Sequence, residues 1–151
     1  MRRLVLFDID GTLLNAGGAG ARALRDALVE VFGEHGPIGA YSMGGRTDPQ
    51  IVRELMTATG RSMDDIHPRL DEVWGVYLRN LRTEVVRSRI EVLPGVPALL
   101  DRVEAGGEPM LLGLLTGNVR EGARMKMEAA GLGFDRFRVG AYGSDHADRP
   151  E

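Results

Sequence analysis

The chain has 151 residues, of which 43% are hydrophobic and 27% charged, with a formal net charge of −3 and no cysteine. Length and apolar content fit one ordinary globular domain, whereas the acidic balance disfavours a general nucleic-acid binder. The absence of cysteine excludes disulfides and thiolate metal sites. The apolar run at residues 4–7 is too short for a signal peptide or a membrane span, so we expect a cytoplasmic protein without a membrane partner.

The first part of the chain predicts one strand and one helix. Residues 3–8 form a continuous apolar run, which is typical of a buried strand. A Gly-rich loop follows, and apolar residues then recur at helical spacing over residues 19–32. Gly33 suits the end of that helix. Residues 33–46 are again rich in glycine and predict a loop.

Two further helical segments follow this loop. Thr47 or Asp48 can cap a helix that has Pro49 in its first turn and ends near Gly60. A longer helical pattern covers residues 64–87, and we expect it to break near Pro68 because proline disrupts a helix interior.

The second half predicts strands that alternate with helices. The pattern indicates a helix over 97–105, a buried strand over 110–115, a helix over 119–130 and a weaker strand over 137–142. This alternation favours an α/β fold with a parallel sheet of about three strands. Residues 15–90 are too many for a crossover, so we expect a helical insertion above the carboxyl ends of the strands, where ligands bind.

Two carboxylates, Asp8 and Asp10, follow the first strand one residue apart. Because side chains alternate along a strand, both are expected to point the same way as the chain leaves the sheet. Like charges at the end of an apolar strand are costly unless a cation lies between them. The pair therefore indicates Mg²⁺-assisted phosphoryl transfer, with one carboxylate as nucleophile and the other as proton carrier.

The stretch Asp8-Ile9-Asp10-Gly11-Thr12 resembles the first motif of the haloacid dehalogenase-like hydrolase superfamily. Leu93-Pro94-Gly95-Val96 and Leu114-Leu115-Thr116-Gly117-Asn118 extend the resemblance over the whole chain, which looks most like the phosphoglycolate phosphatase-like branch with a helical cap. The resemblance implies a Rossmann-like core of residues 1–14 and 91–151 and a cap of residues 15–90. It also implies a Mg²⁺-dependent phosphatase that acts on a small phosphorylated metabolite.

The same resemblance implies roles for four residues. Asp8 is expected to be the nucleophile and Asp10 the general acid and base, and both are expected to bind Mg²⁺, Asp8 through its carboxylate and Asp10 through its backbone carbonyl. The presence of Asp10 favours phosphate esters over halides, because an alkoxide leaving group needs a proton. Thr116 and the Gly117 amide are expected to hold phosphoryl oxygens.

Two cations complete the predicted site. Lys126 is the only lysine beside eighteen arginines. The resemblance implies that it neutralises the nucleophile and the transferring phosphoryl group, with Arg149 as an alternative; the competing interpretation is an exposed helix lysine. Arg46, in the Gly-rich loop of the cap, is a candidate contact to the substrate or else a solvated arginine next to a helix start.

The family's fourth motif, an acidic pair that completes the Mg²⁺ site, has no clear counterpart. Asp145 and Asp148 are the candidates, but they follow the third strand and would have to reach across the sheet. We therefore expect a C-terminally shortened member that is weakly active or inactive. Its first strand would form an exposed apolar edge that is open to self-association.

Three hypotheses about function remain open on these residues. The first is a phosphatase of small phosphate monoesters. The second is a phosphomutase similar to β-phosphoglucomutase, which keeps the chemistry of Asp8 and Asp10 but returns phosphate to a bound sugar. The third is a non-catalytic remnant that folds by pairing its edge with another chain, and unchanged turnover in an Asp8→Asn variant would favour it.

Overall fold

A small parallel sheet and a helical insertion make up the architecture. The computed structural model describes residues 3–106 and 110–147. In chain order its elements are β1 (Arg3–Phe7), β2 (Leu14–Asn15), α1 (Ala19–Phe32), α2 (Asp48–Ala58), α3 (Met63–Ile66), α4 (Leu70–Arg87), β3 (Glu91–Val92), α5 (Val96–Ala105), β4 (Met110–Leu115), α6 (Arg120–Ala129) and β5 (Val139–Ala141). Single 3-10 turns lie at Ile38–Ala40, His67–Arg69 and Phe134–Arg136.

The central sheet contains β1, β4 and β5 in that order, and all its pairs are parallel. Val5 is opposite Leu112, and Leu114 is opposite Gly140. The α/β prediction with three parallel strands is thereby confirmed. Within the described residues β1 pairs with β4 alone, so it forms an edge of this sheet.

Local signals account for the helices of the insertion, which we define as residues 15–90. Gly33 ends α1 in the left-handed region (φ 81°), where glycine carries no steric penalty. Thr47 caps α2 by accepting a hydrogen bond from the Gln50 amide at 3.2 Å. The helical pattern near Pro68 breaks as predicted, because a 3-10 turn separates α3 from α4 there.

Buried apolar side chains form two clusters. One is formed mainly by α1, α2 and α4, and the other lies between the central sheet, α5 and α6. In the insertion, α1 and α4 are also joined by an ion pair between Arg22 and Glu84 at 2.7 Å. The buried position of Glu84 departs from the apolar pattern of α4 and is explained by this pair.

A second, two-stranded sheet joins the segments that enter and leave the insertion. β2 and β3 are antiparallel, with Leu14 opposite Val92 and Asn15 opposite Glu91. The sequence analysis did not predict these strands, because two residues are too few to show a period of two. The pairing holds the two ends of the insertion side by side.

The two faces of the central sheet differ in how they are covered. Leu112 and Leu114 are buried against α5 and α6. The alternate side chains form an exposed apolar face, which consists of Leu4, Leu6, Leu111, Leu115 and Val139. Among the described helices none is both long and apolar enough to cross a membrane.

Candidate active site

A cavity of about 520 Å³ lies between the insertion and the carboxyl ends of β1 and β4. Asp8 and Asp10 follow β1, and Thr116 to Asn118 follow β4, so parallel strands bring both groups to one edge of the sheet. The polar side chains that line the cavity are Asp8, Asp10, Asn15, Arg46, Asp48, Tyr77, Thr116, Asn118 and Lys126.

Asp8 and Asp10 both line this cavity, as their spacing predicts. Asp8 is half-buried, and its Oδ1 accepts a hydrogen bond from the Ile9 amide at 2.8 Å. The chain then turns at Gly11 (φ 77°), whose amide donates to the Leu14 carbonyl at 2.9 Å. This turn reverses the chain directly after the second carboxylate.

Lys126 is buried and bonded to the second carboxylate. Its Nζ donates to Asp10 at 2.8 and 3.0 Å and to Asn118 Oδ1 at 2.7 Å. The alternative of an exposed helix lysine is therefore wrong. The observed ion pair also differs from the expected one, because the ammonium binds Asp10 rather than the nucleophile candidate Asp8. Gly20 of α1 leaves room for this ammonium, since an added Cβ would lie 3.3 Å from Nζ.

Asn118 is a site residue to which the sequence analysis assigned no role. Its Nδ2 donates to Asp10 Oδ2 at 2.8 Å and to Thr116 Oγ1 at 2.7 Å, while its Oδ1 accepts from Lys126. The amide thus bridges the cation and the carboxylate. The available signal was that Asn118 is a polar residue shortly after a buried strand. Its position in the sequence does not tell which side chains it contacts.

Thr116 and Gly117 lie where the phosphate-binding prediction requires, at the edge of the cavity. The Thr116 side chain is buried, and its hydroxyl oxygen also accepts a hydrogen bond from the Asn118 backbone amide at 3.3 Å. It therefore orders the loop that follows β4. The Gly117 carbonyl accepts from the Asp48 amide at 2.7 Å. The phosphate-binding role of both residues stays a prediction.

Arg46 lines the cavity, but its guanidinium group is already engaged. It donates to the Ser42 carbonyl at 2.6 Å, lies 3.3 Å from Glu54 and covers the Tyr41 ring at 5.0 Å. Glu54 also accepts from Tyr41 at 2.5 Å, and this hydrogen bond is the main cause that lowers the pKa of Glu54. The arginine is therefore neither freely solvated nor unpaired.

Asp48 is a second residue that the sequence analysis left without a role in the site. Its Oδ2 accepts from the Val119 amide at 2.8 Å. Burial raises the pKa of Asp48 to about 6, although the Lys126 ammonium and the Val119 hydrogen bond act in the opposite direction. Burial, together with the carboxylates of Asp48 and Asp10, also raises the pKa of Tyr77 well above its ordinary value.

The acidic residues near the end of the chain do not meet this cavity within the described part. Asp145 Oδ2 accepts from the Tyr142 amide at 2.8 Å, so this carboxylate closes a local turn. Asp145 is absent from the cavity lining. Asp148 and Arg149 lie outside the described residues.

Asp8 and Asp10 offer oxygen donors of the kind that bind Mg²⁺. Carboxylate and carbonyl oxygens suit this hard cation, which usually keeps several waters and takes only one or two protein carboxylates. Over residues 3–106 and 110–147, no three His, Asp or Glu side chains are grouped closely enough to hold a metal ion. The oxygen atoms of Asp8 and Asp10 are thus of the kind that Mg²⁺ prefers, and solvent or substrate would have to supply most of the other ligands.

Several solved structures share this fold. The chain is similar to CbbY from Rhodobacter sphaeroides in complex with phosphate (16% identity, 99% of this chain and 67% of that one, TM-score 0.71). It is also similar to a hydrolase from Pseudomonas syringae (17% identity, 98% and 64%, TM-score 0.71). A third is magnesium-bound YfnB from Bacillus subtilis (20% identity, 97% and 67%, TM-score 0.52).

The chain spans about two thirds of the length of these structural neighbours. At such low identities the likeness concerns the fold. No curated protein sequence matches the chain. The family model of haloacid dehalogenase-like hydrolases, in contrast, matches residues 5–148, which include the aspartate pair, the loop after β4 and Lys126. The chain therefore belongs to the haloacid dehalogenase-like hydrolase family.

Proposed function

We propose that the chain is a Mg²⁺-dependent phosphatase of small phosphate monoesters. The observation that carries this proposal is the meeting of Asp8, Asp10 and Lys126 at one cavity, with the lysine 2.8 Å from Asp10. Membership of a hydrolase family supports the reaction class. CbbY, a structural neighbour, is described in complex with phosphate and, as a variant, with xylulose-(1,5)-bisphosphate.

The proposed reaction has two steps. A carboxylate oxygen of Asp8 attacks phosphorus and forms an aspartyl-phosphate, while the ester P–O bond breaks and Asp10 gives a proton to the leaving oxygen. Asp10 then takes a proton from water as the water oxygen attacks phosphorus, which breaks the bond to Asp8 and releases inorganic phosphate. Lys126 and Asn118 keep Asp10 in place through both steps.

Asp8 and Asp10 are the residues that would hold Mg²⁺. When bound, the cation would offset the negative charge that develops on the phosphoryl oxygens. The Thr116 hydroxyl and the Gly117 amide would bind those oxygens from the loop that follows β4. Since Asp8 and Asp10 alone among the described residues are proposed to hold the cation, we expect weak metal affinity and turnover far below the ~10 s⁻¹ that is typical of enzymes.

The substrate proposal is a small phosphorylated metabolite. Arg46 is the candidate for contact with its leaving group, and such a contact would require the guanidinium to share or exchange its bonds to Ser42 and Glu54. A cytoplasmic location and self-association through β1 belong to the same proposal.

The test is phosphate release from p-nitrophenyl phosphate with and without Mg²⁺. We expect slow, Mg²⁺-dependent release by the wild-type chain and none by Asp8→Asn, because the amide is not a nucleophile. Asp64→Asn, an exposed carboxylate of α3, is the matched control and should keep wild-type activity. Equal rates for Asp8→Asn and the wild type would refute the phosphatase proposal. In a second assay with glucose 1-phosphate as substrate, isomerisation without phosphate release would favour a mutase.

A further inference from the structure

Asp48 belongs to the insertion, yet it bonds to the core loop that follows β4. Its Oδ2 accepts from the Val119 amide at 2.8 Å, and its own amide donates to the Gly117 carbonyl at 2.7 Å. Asp48 accepts one of these hydrogen bonds and donates the other. Together they fix the separation and the orientation of the start of α2 relative to the loop after β4. The position of the 117–119 loop is therefore coupled to the position of Asp48.

The carboxylate of Asp48 does not cap the helix to which it belongs. Thr47 has that role in α2, through its hydrogen bond with Gln50. Val119, the residue before α6, provides no side-chain cap. The Asp48 carboxylate instead accepts a hydrogen bond from the Val119 backbone amide, and a negative charge is favourable at a helix N-terminus. Asp48 thus caps the helix that carries Lys126.

The loop that Asp48 holds contains the amide bridge of the site. Asn118 lies between the two bonded residues, and its side chain joins Asp10 to Lys126 at 2.8 and 2.7 Å. Because both contacts come from one planar amide, a shift of the loop would change them together. The path from Asp48 to the reacting groups therefore has two steps, first the loop and then Asn118.

We propose that Asp48 is a positioning residue, which holds the 117–119 loop from the insertion and thereby sets the placement of Lys126 relative to Asp10. The effect of Asp48 on catalysis rests on the proposed phosphatase function, whereas its effect on the position of the loop does not. The raised pKa of Asp48, caused mainly by desolvation, supports this role, because a carboxylate that is retained despite a desolvation cost is expected where function requires it.

The experiment compares Asp48→Ala and Asp48→Asn with the wild-type chain. NMR measures exchange of the Val119 amide, and a titration with inorganic phosphate in the presence of Mg²⁺ measures binding. For Asp48→Ala we expect roughly tenfold faster exchange and roughly tenfold weaker phosphate binding, because a buried amide loses its acceptor. Asp48→Asn keeps an oxygen acceptor and should show smaller changes in both quantities.

Ser62→Ala is the control for a general loss of stability in the insertion. Ser62 accepts from the Asp65 amide at 3.2 Å and caps α3 without contact to the loop. It should change neither Val119 exchange nor phosphate binding. If all three variants change both quantities alike, Asp48 acts only through stability and the positioning role is wrong.

The remaining outcomes separate the two proposals. Wild-type exchange at Val119 in folded Asp48→Ala overturns the positioning role, as does wild-type phosphate affinity. If Asp48→Ala does not fold, Asp48→Asn decides: its smaller changes must still exceed those of Ser62→Ala, and values equal to those of the wild type overturn the positioning role. If the wild-type chain neither binds phosphate nor releases it from an ester, the proposed function fails, while Val119 exchange still decides whether Asp48 holds the loop.

Discussion

Lys126 shows how one buried cation organises the site at the scale of single residues. Its side chain is 6% exposed, whereas that of its partner Asp10 is 45% exposed. A buried ammonium is tolerated only when charges and oxygen atoms compensate it. Asp10 and Asn118 supply those oxygens. In the ion pair, Lys126 is therefore the buried partner and Asp10 the partner that is open to the cavity.

Replacement of Lys126 by methionine tests the cation without removing the apolar stem. We expect at least roughly tenfold weaker binding of inorganic phosphate, because the positive charge next to Asp10 in the cavity is lost. Arg82→Met removes an exposed cation from α4 and should leave the affinity unchanged. Phosphate titrations followed by NMR measure both variants, and equal loss in the two would indicate a nonspecific effect of charge.

The raised pKa of Asp48 predicts a pH dependence of stability. Its folded value of about 6 lies above the ordinary 3.8, so the folded chain binds the proton more strongly between these values. The contribution of Asp48 to the free energy of unfolding therefore decreases as the pH rises through this window, by on the order of 2 kcal/mol. Lys126 and the Val119 amide favour its charged form, whereas Asp10 disfavours it.

Asp48→Asn removes this titration. From about pH 4 to about pH 7, we expect the stability of the variant relative to the wild type to increase by on the order of 2 kcal/mol. Urea unfolding at the two pH values provides the measurement. A difference that does not change with pH would contradict the raised pKa.

At the scale of elements, glycines allow three loops to approach each other: the loop before α2, the loop after β4 and the loop after β5. An added Cβ at Gly117 would collide with the Arg46 carbonyl, and one at Gly143 would collide with the Gly117 carbonyl. Neither glycine has a positive φ, so close packing of backbones rather than conformational freedom requires them. This packing brings α2 of the insertion against the loop between β4 and α6.

Gly117→Ala should separate these loops. The collision is with backbone rather than with a flexible side chain, so we expect a loss of about 1–3 kcal/mol in the free energy of unfolding. Phosphate binding should weaken too, because the bond between Asp48 and Gly117 is lost. Gly75→Ala is the control, since Gly75 lies in α4 with open space around it and should gain about 0.5–1 kcal/mol. Urea unfolding measures both.

At the scale of the whole molecule, the central sheet has one covered and one exposed face. Leu4 and Leu6 of β1 are 52% and 47% exposed, and they continue the apolar face formed by Leu111, Leu115 and Val139. Contiguous apolar surface of this kind is typical of contact with another surface. It supports the proposal of self-association through β1.

A Leu4→Lys/Leu6→Lys double variant tests this proposal. We expect sedimentation velocity to show concentration-dependent association of the wild type and much less for the variant, because two charges would be buried in the contact. Val86→Lys is the matched control, since Val86 is 83% exposed and belongs to α4 of the insertion rather than to the central sheet. A wild-type chain that stays monomeric at all concentrations would refute self-association.

Local patterns predicted most elements of the fold. The helix expected over residues 19–32 is α1, and Thr47 proved to be the cap of α2. The third sheet strand is shorter than expected, at Val139–Ala141, and the division of the chain into two domains stays a prediction. Of the site, the sequence predicted the location of both aspartates but not the bonds that surround them.

The sequence by itself determined the family, the order of strands and helices, and the edge of the sheet that carries the site, because periodicity, capping and the aspartate motif act over a few residues. Only the tertiary structure decided that Asn118 bridges Lys126 to Asp10 and that Asp48 caps α6. These contacts join residues up to 116 positions apart, as in the pair of Lys126 and Asp10. No local pattern encodes which distant side chains meet, since that depends on how the insertion packs against the sheet.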